Sequence, residues 1–137
     1  MSTMLQSHSR LVRKLQDALG ERLCVALDDP TVVEIMLNPD GKLFIERLGH
    51  GVAPAGEMQA TAAETVIGSV AHALQSEADG ERPIISGELP IGGHRFEGLL
   101  PPVVNSPTFT IRRRASQLIP LEDYVVTKVM TEAQASI

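Results

Sequence analysis

The chain has 137 residues, 43% of them apolar, with a formal charge of −5; it is long enough to bury a core and too apolar for a disordered tail. That acidity argues against a surface that binds nucleic acid everywhere, and leaves room only for a local basic patch. No apolar run approaches the roughly eighteen residues of a membrane span, and the first residues carry His8, Arg10, Arg13 and Lys14 in place of an apolar leader, so a cytoplasmic protein is expected.

Leu11, Val12, Leu15, Ala18, Leu19 and Leu23 recur at three- and four-residue intervals. This spacing predicts one amphipathic helix from about Gln6 to Ala26, weakened in its middle by Gly20. Cys24 is the only cysteine, which excludes an intrachain disulfide and a thiolate metal cluster and fits a small buried hydrophobe. Asp28-Asp29-Pro30 ends the helix, since proline biases the residue before it away from helical geometry. Glu34–Asn38 and Leu43–Arg47 then flank Pro39-Asp40-Gly41-Lys42 and predict a hairpin. The weakly patterned stretch from Gly49 to Gln59 is expected to be an edge strand or loop.

Thr61-Ala62-Ala63-Glu64 has the form of a capping box, and Ala63, Val66, Ile67, Val70 and Leu74 form the stripe of a second helix running to about Ser76. Three more strands follow, at Ile84–Leu89, Arg95–Leu100 and Thr108–Arg113. The expectation is an α+β domain over residues 1–114, with a PAS-like mixed or antiparallel sheet of five to six strands and two main helices. Residues 115–137 read as an interdomain linker containing Pro120 and a short Leu121–Val125 turn. Thr131-Glu132-Ala133-Gln134 looks like the start of a further helix with three residues after it, so the chain reads as cut, or as completed by something else.

The last hairpin carries the chemistry. If the strands from Arg95 and Thr108 pair antiparallel, Arg95 meets Arg112. Phe96, Gly98, Leu100, Phe109 and Ile111 then share one apolar face, and Arg95, Glu97, Thr108, Thr110 and Arg112 the other. Like charges facing each other on a sheet repel, so an anion is expected beside them: Glu97 or Glu88, or a bound phosphate group. Two readings stay open here, a solvated hairpin end balanced by carboxylates and a phosphate site.

The run from Glu88 to Pro102 (ELPIGGHRFEGLLPP), the following Phe109-Thr110-Ile111-Arg112-Arg113-Arg114, and the segment from Asp29 to Gly41 (DPTVVEIMLNPDG) resemble the N-terminal domain of TrbB-type conjugative-transfer ATPases. These are members of the secretion-ATPase superfamily. The resemblance covers about Leu11 to Gln134. It implies a domain that packs on a RecA-like ATPase domain with ATP and Mg2+ between them, in a homo-hexameric ring resting on inner-membrane components of a type IV secretion system, cytoplasmic and peripheral. By position it implies that Arg95 and Arg112 reach the nucleotide phosphates and that Asn38 lies near the adenine or ribose. From pattern alone, Asn38-Pro39 reads as a turn start.

The sequence departs from a complete ATPase. It has no Gly-x-x-x-x-Gly-Lys-Ser/Thr phosphate loop, only Gly41-Lys42-Leu43, and no apolar strand ending in an acidic residue to hold the metal. Walker A and Walker B are thus absent, and the chain alone is expected neither to hydrolyse ATP nor to hold a cofactor. The histidines His8, His50, His72 and His94 show no metal-ligand spacing and suit surface or packing roles. Direct nucleic-acid binding is not expected, because alternation sends Arg113 away from Arg112 and few aromatic rings are available for stacking. The alternative from another class is a free-standing PAS-like adaptor or ligand-binding domain with no ATPase partner.

Overall fold

A computed structural model describes residues 2–79 and 81–114. The expected linker over 115–137, its Leu121–Val125 turn and the Thr131 helix start lie outside the described residues.

The first apolar stripe folds as two helices, α1 (Ser2–Leu19) and α2 (Glu21–Asp28), where one was expected. Gly20 separates them at φ 87°, a left-handed conformation that glycine reaches without strain. The break is a single residue wide: the Gly20 N–H still donates to the Gln16 carbonyl at 2.9 Å, and its own carbonyl accepts from Cys24 N–H at 3.1 Å. The stripe survives the bend, with Leu15, Leu19, Leu23 and Leu27 all buried. Asp29 closes α2 and shapes the next turn, its carboxylate accepting from both the N–H and the hydroxyl of Thr31.

The predicted hairpin is β1 (Val32–Leu37) and β2 (Lys42–Arg47), and the weakly patterned stretch is the edge strand β3 (Gly51–Glu57). Arg22 of α2 donates from Nη1 to the Ala55 carbonyl at 2.6 Å, tying that edge to the helical layer. Helix α3 (Ala60–Ala73) begins before the expected capping box. Gln59 is the cap, without a side-chain hydrogen bond, and its carbonyl accepts the Ala63 N–H at 3.0 Å. Thr61 therefore already lies in the first turn, where its carbonyl accepts the Thr65 hydroxyl. The remaining strands are β4 (Ile84–Glu88), β5 (Arg95–Leu99) and β6 (Thr108–Arg112).

All six strands pair antiparallel in the order β3-β2-β1-β6-β5-β4. Side-chain alternation gives the sheet two unlike faces. Ile35, Leu37, Ile45, Phe96, Phe109 and Ile111 are buried together with Leu15, Leu23, Val66, Ile67 and Val70 of the helices. The alternate positions, including Glu34, Met36, Glu97, Thr110 and Arg112, are half-buried or exposed, and among the described residues no helix covers them.

At Gly98 the sheet packs closely against α3. A Cβ there would lie 2.9 Å from the Phe96 ring and 3.0 Å from Ile67 Cγ1. Gly98→Ala is accordingly expected to destabilise the domain by about 1–3 kcal/mol through overpacking. Urea unfolding checks this, and an unchanged midpoint would show that the helix yields.

Candidate functional site

The register of β5 and β6 sets Arg95 directly opposite Arg112, with Phe96 opposite Ile111 on the buried side. This is the pairing read from the sequence. Its physical basis is the inner face: Phe96 and Phe109 stack with ring centroids 5.6 Å apart, and a one-residue slip would turn these rings out to water. The core therefore fixes the backbone from which both guanidiniums project.

Continuing across the sheet, Glu88 of β4 lies opposite Arg95, Glu34 of β1 opposite Arg112, and Glu46 of β2 opposite Glu34. One transverse row on the open face thus reads Glu46, Glu34, Arg112, Arg95, Glu88. The carboxylate that reaches an arginine is Glu34, whose Oε1 lies 3.9 Å from Arg112 Nη2. Of the two acids expected from the sequence, Glu88 is in the row, whereas Glu97 lies one row along, opposite Thr110 and Ser86. The reason is topological: β6 pairs with β1, far away in sequence, and so brings in an acid that no hairpin argument would find.

Asn38 follows β1 on the same side as Glu34 and Met36, four residues beyond the Arg112 row and hence about 13 Å along the strand. It is exposed, its N–H donates to the Lys42 carbonyl and its carbonyl accepts from Gly41, so its backbone makes the turn. With Met36, Pro39, Glu97, Leu99 and Thr108 it lines an open groove of about 520 Å³. Arg95 and Arg112 lie off that groove. The structure thus joins the two arginines and sets Asn38 apart from them on the same face.

The three consecutive arginines diverge. Arg112 faces the open side. Arg113 turns to the helical layer, where its Nε donates to the Leu27 carbonyl at 2.9 Å and complements the α2 C-terminus, while its N–H donates to Val33. Arg114 donates its backbone N–H to His94 Nδ1 at 2.9 Å. His94 is a residue whose partner the sequence reading missed. It has the same parity as Phe96 and Gly98, the signal that could have placed it inward, and only 7% of it is exposed.

Burial pushes the His94 pKa below its usual value, helped by the positive charges of Arg113 and Arg114 and opposed by Asp28. The neutral ring accepts from Arg114, whereas a protonated Nδ1 would face another donor. Because the folded-state pKa is depressed, this stability is fully present above about pH 6.5, the unfolded value, and is lost as pH falls through the folded one. The expected outcome is a melting temperature that drops below pH 6.5 more steeply in the native chain than in His94→Asn, which keeps an acceptor without titrating. Parallel curves would remove His94 from the account.

Among the described residues no group of three His, Cys, Asp or Glu side chains could hold a metal ion, and no helix is long and apolar enough to cross a membrane. The Cys24 thiol is half-buried, its pKa raised by burial and by Asp28 and Asp17, in keeping with a packing role.

No protein-family model matches the chain. It is 82% identical over 134 residues to the conjugal transfer protein TrbB of Rhizobium radiobacter, an alignment covering 98% of this chain and 42% of that protein. Over nearly all of its length the chain is thus similar to part of a TrbB protein. A probable conjugal transfer protein TrbB of Sinorhizobium fredii (strain NBRC 101917 / NGR234) is likewise 82% identical over 132 residues, or 96% of this chain and 41% of that one. The chain spans about two fifths of the length of the curated TrbB relatives it matches. In fold it is similar to the VirB11 ATPase from the Brucella suis type IV secretion system, solved in complex with sulphate. The TM-score is 0.80 over 94% of this chain and 39% of that one, at 22% identity.

Proposed function

We propose that this chain is the N-terminal, ring-forming and nucleotide-contacting domain of a TrbB-type traffic ATPase that drives conjugative DNA transfer. The observation that carries the reading is the register that sets Arg95 beside Arg112 on the open face of the sheet. Two adjacent guanidiniums offer planar, charge-assisted donors to phosphate oxygens, and a bound triphosphate would relieve their mutual repulsion. Asn38, about 13 Å along β1, would meet the base or ribose of an extended nucleotide whose phosphates rest on the arginines.

In this reading the Walker loop and Mg2+ are supplied by a RecA-like domain that packs on the open face, and ATP lies between the two. The magnesium ion would neutralise phosphate charge there, while this chain's own residues orient the phosphates. Six copies would form a ring in the cytoplasm, peripheral to the inner membrane and bound to other secretion components. The sheet face that no helix covers among the described residues and the TrbB sequence match support this assembly, in which the domain shifts against its ATPase partner as nucleotide comes and goes.

The test is ATP turnover and nucleotide affinity in a full-length TrbB relative with both arginines replaced by alanine. If neither quantity changes, the pair belongs to the surface of the fold and the proposal fails.

A further inference from the structure

We infer that Glu34 is a positioning residue built into the arginine pair as a competitor for its anion: its carboxylate engages Arg112 and must yield the guanidinium when phosphate binds. This rests on reading Arg95 and Arg112 as a phosphate grip, and adds to it a residue that sets how tightly the grip closes.

Four features of the open face lead to this. Arg112 and Arg95 oppose each other, an arrangement that repels unless negative charge lies close by. Glu34 supplies that charge from the neighbouring central strand, with its side chain only 20% exposed against 72% for Arg112. The separation of 3.9 Å is too long for a hydrogen bond, so the contact is Coulombic and leaves the guanidinium fork open to a ligand. On its other side Glu34 faces Glu46, and this like-charge neighbour biases the carboxylate towards Arg112.

The consequence is a graded response. Glu34, on the side of Arg112 away from Arg95, offsets part of the Arg112 charge and so eases its repulsion with Arg95. An arriving phosphate takes over the guanidinium and meets a carboxylate beside it, which lowers its affinity. An ion pair this long, with its guanidinium exposed, is weak, so the competition is worth a factor of about two to five in affinity. Such a penalty favours release of the ligand as much as it opposes capture.

The experiment is a titration of the 137-residue chain with inorganic pyrophosphate, followed by amide and arginine side-chain NMR shifts. Glu34→Gln is expected to bind about two- to fivefold more tightly than the native chain, and Glu34→Asp, which keeps the charge, to remain near native. Arg112→Ala should weaken binding, and adding Glu34→Gln to it should restore nothing, since the double-mutant cycle isolates a coupling that runs through Arg112. Glu46→Gln removes the same charge one strand further away and should have a smaller effect.

Equal tightening by Glu46→Gln, or tightening by Glu34→Gln that persists without Arg112, would reduce the effect to net charge and overturn the inference. Unchanged affinity in Glu34→Gln while Arg112→Ala weakens binding overturns it too, yet leaves the grip standing. Pyrophosphate that binds neither the native chain nor Glu34→Gln overturns both.

Discussion

Replacing both arginines equivalent to Arg95 and Arg112 by alanine in a full-length TrbB relative is expected to lower ATP turnover by about a thousandfold while leaving the fold intact. An arginine supplied to the phosphates across a domain boundary contributes roughly 10³ to 10⁵ in rate; in the proposed reading these two would act as one unit, so their effects would not add. Each single substitution should already show most of the loss. Arginine to lysine keeps the charge and discards the planar fork, so partial recovery is expected. The fold should suffer little, because both side chains are exposed, they oppose each other, and the carboxylate contact, Glu34 to Arg112, is long at 3.9 Å. A melting temperature that is unchanged or slightly raised, together with collapsed turnover, is the expected signature; an unfolded double variant would instead mark the pair as structural.

Phe96→Ala is expected to destabilise the domain by about 3–5 kcal/mol, a large share of the roughly 5–15 kcal/mol typical of a domain. Phe96 is wholly buried, stacks on Phe109 and opposes Ile111 and Gly87 across its two neighbouring strands. Gly98 and Ile67 close around its ring, so truncation leaves a cavity that rigid neighbours cannot fill. Urea unfolding of the native and variant chains measures this, with the midpoint expected to fall at constant slope. A loss below about 1 kcal/mol would mean that α3 settles into the gap. The same variant probes the site, because Phe96 immediately follows Arg95 and holds its strand in register. Weakened phosphate binding before global unfolding would show that core and grip are mechanically joined.

What the sequence made legible was local. The alternation Arg95-Phe96-Glu97-Gly98 and Thr110-Ile111-Arg112 fixes which side chains share a face, and a short connection between two strands fixes their pairing, so the Arg95–Arg112 contact could be read before any coordinates. The β1–β2 hairpin and the stripe of α3 were legible for the same reason. Two features misled. The leucine spacing from Leu15 through Leu23 continues unbroken across Gly20, concealing a bend that depends on a single positive φ. The Thr61–Glu64 pattern has the form of a cap, but the helix begins two residues earlier, with an extended Gln59 as its cap. What stayed hidden was non-local. Nothing in the sequence says that β6 inserts beside β1, and with that contact went the identity of the acid facing Arg112. His94 was hidden likewise, as its partner is a backbone N–H twenty residues away.

The place of β6 in the sheet bears on how the protein is made. Residues 32–57 form one three-stranded meander and residues 84–99 a separate hairpin, and among the described strands the one that bonds to both, β6, is the latest in the chain. A nascent chain still lacking Thr108–Arg112 holds two half-sheets, each with a raw edge where its neighbour will be. The domain therefore has to close late and all at once, and a ribosome that pauses just before that strand emerges would expose those edges to any pairing partner nearby.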